Sequence, residues 1–340
     1  MPNISRHKMM SHVDRIMGDH RPITADIFLT NFCNNRCPYC TYNRWGHEPD
    51  ARYMAFEDFR KYAERMIDLG VQGFILTGGG EPSLNPEFRE ITDWLTNNGI
   101  HWGINTNFNV LKFIKPDYLK VSLDGYDEDS YERSRGVRKN ERVRGNIETY
   151  AKWRRENSPK TTLGVQMVAM RAEDVYKFYE ANADLDVDYI AFRPVESTGG
   201  KYYKDIKHIA ATTEADGLGR VLDAIDDMRD FDKRVVRNFK WDMLDRQEES
   251  CLAQWAQIAV NELGEVMYCC HKPYQIVGHI MDEDILEKKE KAGTEMRMCD
   301  IPCRMTAPNM FVSQLHQKRK DDCFISAVIL AVARRWQRGK

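Results

Sequence analysis

The sequence predicts an α/β protein: an open, partial (βα)6 barrel followed by a small cysteine-rich α+β module. Between residues 23 and 195, short β-rich runs alternate with amphipathic helical stretches, the pattern that gives parallel strands joined by right-handed crossovers. The pattern repeats through six βα units, too few to close an eight-stranded barrel. Near Arg237 the texture changes, and residues 255–270 read as a β-hairpin turning on Gly264. These observations divide the chain into an N-terminal extension (1–20), the barrel (21–212), a connecting helix (213–240), the cysteine-rich module (241–312) and a helical tail (313–340).

The first strand is the run 23–30. A helix follows from about Ala55, with Phe56, Phe59, Ala63, Met66 and Ile67 on one face and Gly70 placed to end it. Residues 73–76 form the second strand and run into a glycine-rich turn. Asn85 and Pro86 then read as the N-cap and first residue of a helix whose apolar face is Phe88, Ile91 and Leu95. Further strands are expected at 101–105, 118–123, 163–169 and 188–193, with helices near 141–155 and 173–181. The connecting helix carries Leu218, Val221, Leu222, Ile225 and Met228 on one face. Chemistry in such barrels gathers at the C-terminal ends of the strands, and the unusual residues of this sequence fall there.

With 340 residues, 42% of them hydrophobic, the chain can bury a sizeable core without staples. Lysine plus arginine (50) nearly balances aspartate plus glutamate (52), which argues against a nucleic-acid groove or an anionic membrane surface and points to a small-molecule partner. The first twenty residues lack the apolar core of a signal peptide, and the longest apolar run, 325–332, is far short of a membrane span. A cytoplasmic location is the expectation, and there nine cysteines are not a disulfide framework. The cysteines form two groups: Cys33, Cys37 and Cys40, then Cys251, Cys269, Cys270, Cys299, Cys303 and Cys323. Two separate sites follow.

Cys33, Cys37 and Cys40 stand within eight residues on the loop after strand one, short enough to wrap three corners of a cubane cluster and leave a fourth iron open. A structural zinc site wants four closed ligands, and only His47 stands near enough to be the fourth. The spacing, with the aromatic Tyr39 before the last cysteine, resembles the signature of the radical S-adenosylmethionine (SAM) superfamily. The resemblance implies a four-iron four-sulfur cluster on these three cysteines, SAM chelated to the open iron, Tyr39 beside the adenine, and an electron donor of flavodoxin or ferredoxin type. One-electron cleavage of the sulfonium then gives a 5′-deoxyadenosyl radical that takes a hydrogen atom from substrate.

The run Thr77-Gly78-Gly79-Gly80-Glu81-Pro82 after strand two resembles the motif that binds the methionine amine in that superfamily, which carries over Gly79, Gly80 and Glu81; a plain capping turn is the alternative. Thr106 with Asn107, and Ser122 with Asp124, resemble strand-end contacts to the carboxylate or ribose of the cofactor. Arg133 and Arg135 both occupy the stretch where relatives hold an arginine near the cofactor carboxylate, and Arg135 is the choice. Gln166, an amide inside an apolar strand, is expected to face the lumen and the cofactor. Arg193, ending strand six, either grips substrate or pairs with Glu196.

Cys251, twelve residues, Gly264, four residues and Cys269, with the clip Cys299 and Cys303 followed by Arg304 and Asn309, is similar to the SPASM/twitch extension of radical enzymes, and implies one auxiliary iron–sulfur cluster. Spacing alone leaves zinc open. Cys270 sits beside Cys269 and points to the opposite face, so it is either a packed apolar residue or, like Cys323, a hydrogen-atom donor to a substrate radical. The function expected is oxidation or epimerisation of a sugar-like, aminocyclitol or nucleotide substrate. A radical peptide maturase is the alternative enzyme, and a zinc-binding structural protein the non-enzyme one.

Overall fold

The β-rich runs are buried on both faces, as parallel strands covered by helices must be: every residue of β1 (Thr24–Phe28) and of β5 (Thr162–Val168) is buried. The computed structural model describes residues 21–40, 50–195, 218–238, 254–295 and 309–314, with His12, Arg15, Tyr42, Lys240, Trp241, Cys251 and Met305 besides. Within these residues β1, β2 (Gly73–Thr77), β3 (Trp102–Thr106), β4 (Tyr118–Ser122), β5 and β6 (Tyr189–Arg193) pair in sequence order, all parallel. That is the expected six-unit core.

The sheet continues at both ends. Helix α6 (Leu218–Phe231) buries Val221, Ala224 and Ile225, packs on α5 (Ala172–Asn182), and leads into β7 (Val235–Arg237), which pairs in parallel with β6. The stretch read as a connecting helix therefore belongs to a further crossover. On the other side of β1, β8 (Gln257–Val260) adds in parallel, and β9 (Glu265–Met267) and β10 (Ile276–His279) follow antiparallel, giving the order β10-β9-β8-β1-β2-β3-β4-β5-β6-β7. Buried Gln257 donates to Asp26 across the β8–β1 seam at 2.5 Å. The hairpin expected around Gly264 thus joins the barrel sheet at its first strand.

Helices cover the strands by their apolar faces. In α1 (Phe56–Asp68) Phe59, Ala63 and Met66 are buried, but Ile67 is 40% exposed because the stripe is narrower than its spacing suggested. Helix α2 (Phe88–Asn97) buries Phe88, Ile91 and Leu95 and starts two residues later than expected. Asn85 makes a turn instead of the N-cap: its Oδ1 accepts from the Glu87 amide at 2.8 Å, and its Nδ2 donates to Leu29 O and Met54 O. The β3–β4 connection has no helix. It buries Phe108 and Ile114 against α4 (Asn140–Asn157), whose Tyr150 hydroxyl donates to Ile114 O at 2.8 Å.

Besides the later helix Ile285–Glu295, one helix was not expected from the sequence, α3 (Glu128–Arg135). Its surface is almost wholly polar, so apolar periodicity says nothing of it. Capping defines it: Asp127 and Ser130 form a reciprocal capping box, and Gly136, at φ +70°, ends it. No described helix is long and apolar enough to cross a membrane.

Candidate active site

The C-terminal ends of β1 to β4 and of β6 border a cavity of about 210 Å³. Its walls carry Cys33, Cys37, Cys40 and Tyr39 from the β1 loop, Gly79, Gly80 and Glu81 after β2, Thr106 and Asn107 after β3, Ser122 on β4, Arg135 from α3 and Arg193 on β6. All these positions were singled out in the sequence, and the fold brings them to one place.

The cysteine loop is held from below by backbone contacts that only glycine allows. Gly80 N donates to Thr30 O and Glu81 N to Phe32 O, both at 2.8 Å, and a Cβ on Gly80 would stand 1.9 Å from Phe32 O. On the far side Arg36 N donates to Arg135 O at 2.8 Å, and a Cβ on Gly136 would meet Arg36 O at 2.5 Å. Asparagines fix the rest. Asn107 Nδ2 donates to Asn34 Oδ1 at 2.7 Å and lies 3.8 Å from Cys33 Sγ, while Asn109 Nδ2 donates to Asn35 Oδ1 at 2.6 Å. Asn34, Asn35 and Asn109 escaped the sequence reading; the two asparagines between Cys33 and Cys37 were the available signal.

Glu81 is 3% exposed and takes four hydrogen bonds. Oε1 accepts from the Ser83 amide (3.2 Å), the Ser83 hydroxyl (2.8 Å) and Thr106 Oγ1 (2.6 Å), and Oε2 from the Asn107 amide (2.7 Å). The carboxylate therefore caps its own turn and also ties β2 to β3. Burial pushes its pKa above the ordinary carboxylate value, against the pull of those donors. Burial likewise pushes the Cys33 thiol up to about 12, with Glu81 adding to the rise.

Of the two arginine candidates, Arg135 faces the cavity; Arg133 reaches outward to the Tyr126 hydroxyl at 3.2 Å. Arg135 Nη1 donates to Cys37 Sγ at 3.3 Å and Nη2 forms an ion pair with Asp124. Asp124, at φ +52°, accepts from the Val168 amide at 2.5 Å. It therefore acts on the cavity through Arg135, whose cation it stabilises. Gln166 is buried in β5 but does not line the cavity; its carbonyl accepts from the Leu123 and Asp124 amides. Arg193 Nη1 donates to Pro194 O at 3.3 Å, and its alternative partner Glu196 lies outside the described residues.

Four buried polar atoms of lining residues have no partner among the described residues: Asn35 Nδ2, Tyr39 Oη, Asn105 Oδ1 and Arg135 Nε. Donors and acceptors are thus both present for a polar, zwitterionic ligand. Asn105 is a further site residue missed from the sequence, hidden inside a run read only as strand. No three His, Cys, Asp or Glu side chains among the described residues close on a single ion. Cys33, Cys37 and Cys40 all line this one cavity, and three thiolates beside an open position are the ligand set of a four-iron four-sulfur cluster that binds a further ligand.

Of the second group, Cys251, Cys269 and Cys270 are half-buried, and Cys299, Cys303 and Cys323 lie outside the described residues. Cys270 packs with Phe28, Ala259, Met267 and Tyr42. It does not line the cavity, so this placement favours the apolar reading over hydrogen donation. Between the two groups stands Tyr42: its ring lines the cavity, its hydroxyl donates to Cys270 O at 2.5 Å, and its own carbonyl accepts from Tyr274 at 3.1 Å.

Residues 27–191 match the profile described as Radical SAM superfamily. Among curated proteins, the Bacillus subtilis antilisterial bacteriocin subtilosin biosynthesis protein AlbA is 22% identical over 282 residues, 77% of this chain and 58% of AlbA. A Haemophilus influenzae GTP 3′,8-cyclase is 28% identical over 123 residues, 33% of this chain and 36% of the cyclase. Each of these matches spans less than two thirds of the relative's length. Streptococcus suis SuiB, solved with its precursor peptide SuiA, superposes with a TM-score of 0.60 at 15% identity, covering 82% of this chain and 67% of SuiB. That likeness is one of fold.

Proposed function

Through residues 27–191 this chain belongs to the radical SAM superfamily, and from that premise we propose that Cys33, Cys37 and Cys40 hold a four-iron four-sulfur cluster with SAM in the cavity beside it. The observation that carries this reading is the meeting of three thiols, the Glu81 turn and four partnerless polar atoms around one cavity at the strand ends. When bound, cluster and cofactor supply a one-electron cleavage whose 5′-deoxyadenosyl radical takes a hydrogen atom from substrate. The protein's part is position and exclusion of water. Three cysteines leave one iron without a protein ligand. Arg135 sets a buried positive charge against Cys37. Tyr39, 7% exposed and packed on Val168 and Val195, offers an aromatic wall for an adenine. Glu81, through Thr106 and Asn107, fixes the strand-end groups that face the amino-acid part of the cofactor. A flavodoxin or ferredoxin is the electron source.

Beyond the barrel, Cys251 and Cys269, with Cys299 and Cys303, are proposed to hold one auxiliary iron–sulfur cluster. Balanced charge favours a small sugar-like, aminocyclitol or nucleotide substrate, oxidised if the auxiliary centre accepts the second electron. A peptide substrate is favoured by a different observation: the match to AlbA extends over 77% of this chain, whereas the match to the cyclase extends over 33%. Deuterium transfer decides between them. Anaerobic enzyme, reductant and SAM are offered deuterated candidates of both classes, and the true class labels 5′-deoxyadenosine. Label from neither class, in a preparation that cleaves SAM, would refute both substrate readings.

A further inference from the structure

Lys289, on α7 (Ile285–Glu295), is 1% exposed. A buried ammonium ordinarily has a carboxylate partner, and among the described residues none pairs with this one. Its Nζ donates to Gln254 Oε1 at 2.7 Å and to Tyr268 O at 2.9 Å. Gln254 in turn donates from its amide to Cys251 O at 3.2 Å and from its side chain to Lys289 O. Tyr268 O belongs to the peptide bond that leads into Cys269. One ammonium thus ties the residue bonded to Cys251 to the peptide next to Cys269, although the two cysteines lie on either side of the β8–β9 hairpin. Among the described residues, the ionisable groups whose charge reaches it are thiols, Cys269, Cys251 and Cys270. Burial pushes its pKa down to about 8, against their pull.

We propose that Lys289 is the internal counter-ion and positioning residue of an anionic, thiolate-bound metal centre built on Cys251 and Cys269. The inference rests on the auxiliary-cluster reading given above. A cation enclosed without a carboxylate is unfavourable in the metal-free fold and favourable once thiolates bind metal beside it. The same charge stabilises the more negative, reduced state of an iron–sulfur centre and so raises its potential.

The test uses the full chain with Cys33, Cys37 and Cys40 changed to alanine, so that only the second centre is read. Proteins with Lys289, Lys289→Met and Lys289→Arg are reconstituted anaerobically with iron and sulfide. Expected for Lys289→Met is a midpoint potential lower by at least a tenfold change in the reduced-to-oxidised ratio, about 59 mV for one electron. Iron is also lost to a chelator several-fold faster, while the metal-free protein melts no lower than its parent. Lys289→Arg keeps the charge and holds the potential near the parent value. A Lys289→Met protein with unchanged potential and iron release overturns the proposal, and so does one whose metal-free form is destabilised, which marks a merely structural lysine. A parent protein that binds no iron at all overturns the auxiliary-cluster reading itself.

Discussion

Gly80→Ala puts a methyl group where a backbone carbonyl already lies. The added Cβ would stand 1.9 Å from Phe32 O, 2.4 Å from Phe32 C and 2.6 Å from Phe32 N, and all three atoms are main chain. Real Cβ atoms essentially never approach below 3.0 Å, so the two backbones must part by about 1 Å. That separation breaks the 2.8 Å bond from Glu81 N to Phe32 O and moves the residue before Cys33. Overpacking of this kind costs about 1–3 kcal/mol, which a chain of this size survives. The cost in function is larger, because a 1 Å misplacement of a reacting group lowers a rate by about a hundredfold. The assay is 5′-deoxyadenosine release from SAM, normalised to bound iron, alongside thermal unfolding. Expected is a protein that melts a few degrees lower, holds less iron in its first centre and releases 5′-deoxyadenosine about a hundredfold more slowly. A variant with parental iron content and rate would refute the claim that the glycine turn seats the cysteine loop.

Arg135→Met leaves Asp124 buried beside an apolar side chain and removes the donor to Cys37; a loss of about 3–5 kcal/mol in urea unfolding is expected, with weaker iron binding. Glu81→Gln turns one of two acceptors into a donor facing donors from Ser83, Thr106 or Asn107, and should cost about 1–3 kcal/mol together with a raised KM for SAM. The metal-free protein carries a pH signature. Lys289 has a folded pKa of about 8, below its ordinary 10.5, so between these values the unfolded chain binds more protons and stability rises with pH. The gain is about 3 kcal/mol across that window. It should vanish in Lys289→Met, read as the difference between the two urea midpoints at pH 7.5 and pH 10.5.

The six-strand core was legible because burial and helical spacing are local signals, and the cysteine loop because three cysteines fall within eight residues. Features that depend on partners distant in sequence were not legible. The placement of β8 against β1 is decided by pairing over more than two hundred residues and by the Gln257–Asp26 contact, neither of which leaves a periodic trace. Helix α3 has too few apolar residues for periodicity to register, although its capping box and Gly136 were there to be read. Its omission also left the choice of Arg135 over Arg133 without a structural ground, because the helix decides which of them turns inward. Gln166, an amide in an apolar strand assigned to the lumen, pairs in register with the cavity-lining Ser122 and so shares its face of the sheet, but it lies buried short of the cavity wall.

The central claim is that three cysteines on one loop hold a cluster whose open iron takes SAM. The most direct measurement is release of 5′-deoxyadenosine by anaerobically reconstituted, dithionite-reduced protein. The account predicts release from the parent chain and none when Cys33, Cys37 and Cys40 are replaced by alanine. An iron-replete parent that forms no 5′-deoxyadenosine, or a triple variant that forms as much as the parent, would contradict it.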